Sequence, residues 1–136
     1  MNGQQRELIR TSFEQVRQHK EEASELFYEH LFAGNPELLP MFKSASARSQ
    51  VNKLMQVLEY AVDHLDHWPT FMSQAEELGA RHVAYGVRPD HYAAVGVTLM
   101  TTLRAVLGNE FSDETEEAWM EFYTEISLVM ERGGRG

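Results

Sequence analysis

His82 follows Leu78 and Ala75 by four and seven residues, so its imidazole belongs to the apolar face of a helix. A buried imidazole costs free energy unless its nitrogens are bonded. Two readings follow: a core histidine held by a backbone carbonyl, the commoner case on periodicity alone, or a metal ligand. Tyr28 raises the same question beside Phe27, Leu31 and Phe32, where its hydroxyl needs a partner. Gln50 sits one turn before Leu54 at the edge of a third apolar stripe, where a surface amide is the default. Three polar groups thus approach one apolar volume from three helices. A core alone does not favour that arrangement, whereas a cofactor sandwiched between helices accounts for all three.

Other candidates are weaker. His64 and His67 lie three apart in the run DHLDH, a spacing that allows a metal but more often marks solvated histidines. Glu110, Asp113, Glu114, Glu116 and Glu117 gather where a helix begins, and the helix dipole is enough to explain them. There is no phosphate-binding glycine loop, no G-x-S-x-G, no H-E-x-x-H and no pair of E-x-x-H motifs.

The elements that must position these residues read as helices throughout. Ile9, Phe13 and Val16 mark a first helix. A second begins near Glu21 and stops at Gly34. Asn35-Pro36-Glu37 opens a short turn, PELLPMF. A fourth helix from about Ser46 carries Val51, Leu54, Met55, Leu58, Val62 and Leu65 inward. Trp68-Pro69-Thr70 starts a fifth, with Phe71, Ala75, Leu78 and His82 on one face, ending near Gly86. Pro89 opens a sixth, which stops at Gly108-Asn109. Ser112 and Asp113 precede Thr115 and Glu116 by three residues, a capping signature for the last helix. Its inward residues are Trp119, Phe122, Tyr123, Ile126, Val129 and Met130. With no sustained alternation bounded by hairpin signals, the fold class is all-α, about seven helices of unequal length.

The chain is 136 residues, 43% of them hydrophobic, which suits a single domain over 1–136 with a frayed tail at about 132–136. Without cysteine there is no disulfide, thiolate nucleophile or thioether-linked cofactor. A formal charge of −9 argues against a nucleic-acid partner. No apolar run is long enough for a membrane span and no secretion signal opens the chain, so the expected location is the cytoplasm.

The segments LFYEHLF (26–32), PELLPMF (36–42), QVNKLM (50–55), RHVAYGVRPDHY (81–92) with Val95-Gly96 after it, and AWMEFY (118–123) come in an order and at spacings of high specificity. In these the chain resembles the bacterial single-domain haemoglobins and the haem (globin) domain of flavohaemoglobins, over roughly residues 5–131. The resemblance implies a globin fold around a noncovalent haem b (iron protoporphyrin IX), with His82 as the proximal iron ligand. It places Tyr28 and Gln50 on the distal side, as donors to a diatomic ligand. Phe42 matches the aromatic on the haem face and Leu54 the apolar residue over the distal pocket. Leu78, Val87, Val95 and Tyr123 match further pocket positions, and Lys53 and Arg81 are placed to meet the propionates. Tyr92 matches a tyrosine that works with a glutamate on the proximal imidazole. The glutamate's own position falls at about Gly134, with Glu131 nearly a turn earlier.

The function implied is reversible, high-affinity oxygen binding or transport, with O2, NO and CO as ligands. The alternative is nitric oxide dioxygenation to nitrate with electrons from a separate reductase. A gas sensor ranks third. The resemblance leaves the oligomeric state open.

Overall fold

The computed structural model describes residues 1–38, 47–84 and 89–135, with the side chains of 47–54, 82–84, 89 and 135 outside the description. Among the described residues there are six α-helices and no strand: α1 Gly3–Gln18, α2 Lys20–Gly34, α3 Ala47–Asp63, α4 Trp68–Ala84, α5 Pro89–Leu107 and α6 Asp113–Arg135. Short 3-10 turns occupy 36–38, Leu65–His67 and Gly108–Glu110. The helical segment expected at PELLPMF is therefore a single turn over its described part.

Local chemistry sets most boundaries. Asn2 caps α1 by accepting from the Gln5 backbone N–H at 2.8 Å, and the Gln5 side chain returns the bond to the Asn2 backbone at 3.0 Å. Ser112 Oγ accepts from the Thr115 backbone N–H at 3.1 Å and starts α6 as its sequence signature implies. Gly108 has φ of +57°, a conformation that suits glycine, where α5 gives way to a 3-10 turn. The expected fraying after Arg132 is not seen, since α6 continues through both glycines to Arg135. Packing overrides propensity there, because Gly133 lies so close to α4 that a Cβ would fall on the Glu76 carbonyl.

The core runs through every helix. Ile9, Phe13 and Val16 of α1 meet Trp119, Phe122 and Ile126 of α6 in one cluster with Phe27 and Leu31 of α2. Trp119 is fully buried, and its indole N–H donates to Ser12 Oγ at 2.8 Å. Thr98 and Thr102 are buried in α5, their hydroxyls satisfied by the carbonyls of Ala94 and Thr98, each at 2.8 Å. No helix of the described residues is long and apolar enough to cross a membrane.

Candidate functional site

Two helices joined by a tight corner carry the expected site residues Gln50, Lys53, Leu54, Leu78, Arg81 and His82. α3 ends at Asp63, a 3-10 turn follows, and α4 starts at Trp68. Tyr60 Oη donates to Gln74 Oε1 at 2.8 Å across this corner. The Tyr60 ring stacks on His64 at 4.0 Å, and His64 Nδ1 donates to the Tyr60 carbonyl at 2.8 Å. His64 is therefore engaged locally, and no group of three or more potential metal ligands exists among the described residues.

Beyond the corner the two helices take different partners, α3 packing on α2 and α4 on α6. The α4–α6 approach is close: a Cβ on Gly79 would fall on the Met130 backbone. Arg132 of α6 reaches Glu76 of α4 at 3.4 Å beside the crossing. α4 is thereby held against α6 toward its C-terminal end. Gln50, Lys53 and Leu54 occupy the early turns of α3, and Leu78, Arg81 and His82 the late turns of α4. At 1.5 Å per residue along each helix, both sets lie about 15–20 Å from the shared corner.

The expected site residues divide by what is described. The backbones of Gln50, Lys53, Leu54 and His82 are helical, with side chains outside the description, and Phe42 and Val87 lie outside the described residues altogether. Tyr28 is half-buried on α2, its ring edge-on to Phe32 at 4.9 Å. Leu78 and Val95 are also half-buried, although Ala75 and Leu99, one turn away on the same faces, are 2% and 1% exposed. Arg81 is exposed.

Tyr92 and Tyr123 join α5 to α6. Tyr123 Oη donates to the Tyr92 carbonyl at 2.7 Å, and its ring lies over Gly96, where a Cβ would stand 2.8 Å from Cε2. The acidity of Tyr123 is suppressed, first by burial and then by the neighbouring Tyr92 and Glu131. Tyr92 is shifted the same way, by burial and then by the Glu131 charge. Glu131, Tyr92 and Tyr123 line one cavity, so packing brings together an acid and a tyrosine well separated in sequence. The hydroxyl of Tyr123 is committed to a backbone carbonyl, a structural task that its match to a pocket position did not reveal.

Comparison with known proteins agrees with the all-α fold. Residues 25–130 match the family described as Globin. The chain is 30% identical over 127 residues to a Flavohemoprotein of Bordetella pertussis, covering 92% of this chain and 32% of that protein. It is 30% identical over 146 aligned residues to a Neuroglobin of Tetraodon nigroviridis and 31% identical over 146 to Neuroglobin-1 of Oncorhynchus mykiss. Each of these covers 98% of this chain and 92% of the neuroglobin. The chain thus spans about a third of the length of the flavohemoproteins it matches, and nearly the full length of the neuroglobins.

Proposed function

The chain belongs to the globin family, and from that premise we propose that it is a haem b protein that binds dioxygen reversibly. In this reading His82 holds the iron, while Tyr28 and Gln50 meet the gas on the opposite side. The observation that carries it is the separate packing of α3 on α2 and of α4 on α6, which gives the segments bearing Gln50 and His82 different partners beyond one corner. The half-burial of Tyr28, Leu78 and Val95 beside closely packed neighbours supports the same reading, because side chains left partly open can line a bound apolar group.

Haem, when bound, supplies a ferrous iron at which diatomic gases coordinate. The chain's residues do the rest. His82, near the end of a helix packed on α6, would hold the iron through an imidazole nitrogen. Leu78, Val95, Val87 and Phe42 are assigned to the apolar walls. Phe27, fully buried, and Leu54 are assigned to keep water from the gas site. Tyr28 would donate a hydrogen bond from its hydroxyl to a diatomic ligand carrying partial negative charge, with Gln50 as second donor. Lys53 and the exposed Arg81 are assigned to the propionates. A cytoplasmic location and a separate reductase complete the proposal.

Nitric oxide dioxygenation with that reductase is the second reading. It is favoured by the similarity to a flavohemoprotein, of whose length this chain covers 32%.

An absorption spectrum of the haem-loaded protein tests the first reading. Reduction followed by oxygen should shift the Soret and visible bands, and deoxygenation should restore them. No Soret band after haem addition, or rapid irreversible oxidation in place of a reversible shift, would overturn it. Multiple-turnover NO consumption with NADH and a reductase, well above the uncatalysed rate, would favour the second.

A further inference from the structure

A continuous run of aromatic rings leads from the core to the surface. Phe13 of α1 meets Trp119 of α6 at 6.0 Å between ring centroids, and Trp119 meets Phe122 at 5.1 Å. Phe122 meets Trp68 at 5.4 Å, Trp68 stacks on Phe71 at 5.1 Å, and Phe71 meets Tyr60 at 6.1 Å. Trp119 and Phe122 are fully buried, Trp68 is half-buried and Tyr60 is 42% exposed. Packing alone accounts for rings that touch. What this run adds is a redox order, because its oxidisable rings, Trp119, Trp68 and Tyr60, are each separated by a single phenylalanine.

In a chain without cysteine, indoles and phenols are the side chains most readily oxidised by one electron. Either ring becomes strongly acidic on oxidation, so the proton acceptor beside it decides where the oxidising equivalent rests. Trp119 Nε1–H donates to Ser12 Oγ at 2.8 Å, a hydroxyl that is no base at neutral pH. Trp68 Nε1–H donates to Glu125 Oε1 at 3.1 Å, a carboxylate that can take the proton and return it. Tyr60 is the only exposed tyrosine among the described residues, so water can carry its proton away. Its ring is held in place all the same, stacked on His64 at 4.0 Å with its hydroxyl on Gln74 at 2.8 Å. Proton acceptors therefore improve outward along the run.

We propose that this run carries a single oxidising equivalent from either tryptophan to Tyr60, which is the site at which one-electron oxidants modify the chain. A radical oxidant takes one electron from an indole. An oxidised Trp119 draws its electron back from Trp68, which lends its N–H proton to Glu125. Tyr60 then gives an electron to Trp68, Glu125 returns the proton, and the Tyr60 phenol proton leaves to water. The net change is an oxidant reduced by one electron, one proton released and one phenoxyl radical at Tyr60. Two such radicals on different chains join through a carbon–carbon bond as dityrosine. The route spares Trp119, whose indole N–H ties α6 to Ser12 of α1. It does not depend on the haem reading.

Pulse radiolysis of the full chain with dibromide radical anions, which oxidise indoles preferentially, tests this. The indolyl absorption should decay as a phenoxyl absorption rises, at a rate independent of protein concentration. Peptide mapping should then find dityrosine at Tyr60. Tyr60→Phe keeps the ring, and should abolish the phenoxyl rise, prolong the indolyl signal and move the oxidation products onto the tryptophans. Gln74→Glu, at an exposed position, should quicken the transfer, because a carboxylate takes the phenol proton where an amide oxygen does not. Helical circular dichroism should match in all three proteins, so that neither change traces to unfolding. Transfer at the wild-type rate in Tyr60→Phe or in Gln74→Glu would overturn the proposal. So would dityrosine mapped to any other tyrosine, or an indolyl decay that scales with protein concentration.

Discussion

The Tyr123 hydroxyl donates to the Tyr92 carbonyl at 2.7 Å and thereby fixes the last helix against the first turns of α5. Both tyrosines hold their protons more tightly than free tyrosine, chiefly through burial and additionally through the Glu131 charge. A phenol whose folded pKa is raised contributes stability that is complete below the unfolded value of about 10. That contribution is lost as pH climbs from there through the folded value, because the unfolded chain releases its proton first. The melting temperature should therefore begin to fall near pH 10. Tyr123→Phe should flatten that decline and cost about 1 kcal/mol at neutral pH for the lost bond. Melting curves of both proteins between neutral and strongly alkaline pH check this.

Gly79 sets how closely α4 approaches α6. An added Cβ would meet the Met130 backbone, which cannot yield as a flexible side-chain tip would. Gly79→Ala should destabilise the fold by about 1–3 kcal/mol through overpacking. It should also loosen haem, because the displaced turn lies just before His82. Gly34→Ala has open space around it at the end of α2 and should be neutral or stabilising by up to about 1 kcal/mol. Thermal melts and haem transfer to an apo-acceptor distinguish the pair.

Ser12 joins α1 to α6 through one oxygen, accepting from Trp119 Nε1 at 2.8 Å while donating to the Leu8 carbonyl at 2.7 Å. Ser12→Ala leaves a fully buried indole N–H without that acceptor, at a cost of about 1–3 kcal/mol. At about 4 °C per kcal/mol for a chain of this size, the melting temperature should drop by about 4–12 °C. Ser127→Ala loses only an exposed bond to the Thr124 carbonyl and should barely change it.

Features that depend on a few neighbouring residues were legible in the sequence. Ser112 as a cap, Pro89 as a helix start and the Ile9-Phe13-Val16 stripe all stand as read, and Gly34 ends α2 as read but without the positive φ expected of a terminal glycine. So did the family resemblance, carried by segments spread from residue 26 to 123. Properties that arise only when helices meet were not legible. Thr98 and Thr102 interrupt an apolar stripe yet are buried, because their hydroxyls turn back onto their own helix. The GGR stretch reads as a tail and is helical, because α4 packs against it. The nearness of Glu131 to Tyr92 follows from the α5–α6 packing, which no spacing encodes.

Tyr28 offers the sharpest test of the gas-binding proposal. Its ring packs edge-on against Phe32 at 4.9 Å, so replacing it with phenylalanine keeps the packing surface and removes only the hydroxyl. A hydrogen bond to a partly charged acceptor contributes about 1.5–3 kcal/mol. Its loss should speed dioxygen release by about ten- to a hundredfold. Carbon monoxide carries less charge when bound, so its release should change far less. This contrast separates a lost donor from a merely loosened pocket, which would speed both. Stopped-flow dissociation of each gas from wild type, Tyr28→Phe and Gln50→Leu decides the assignment. If oxygen release quickens only in Gln50→Leu, the amide on α3 is the dominant donor and the phenol is not.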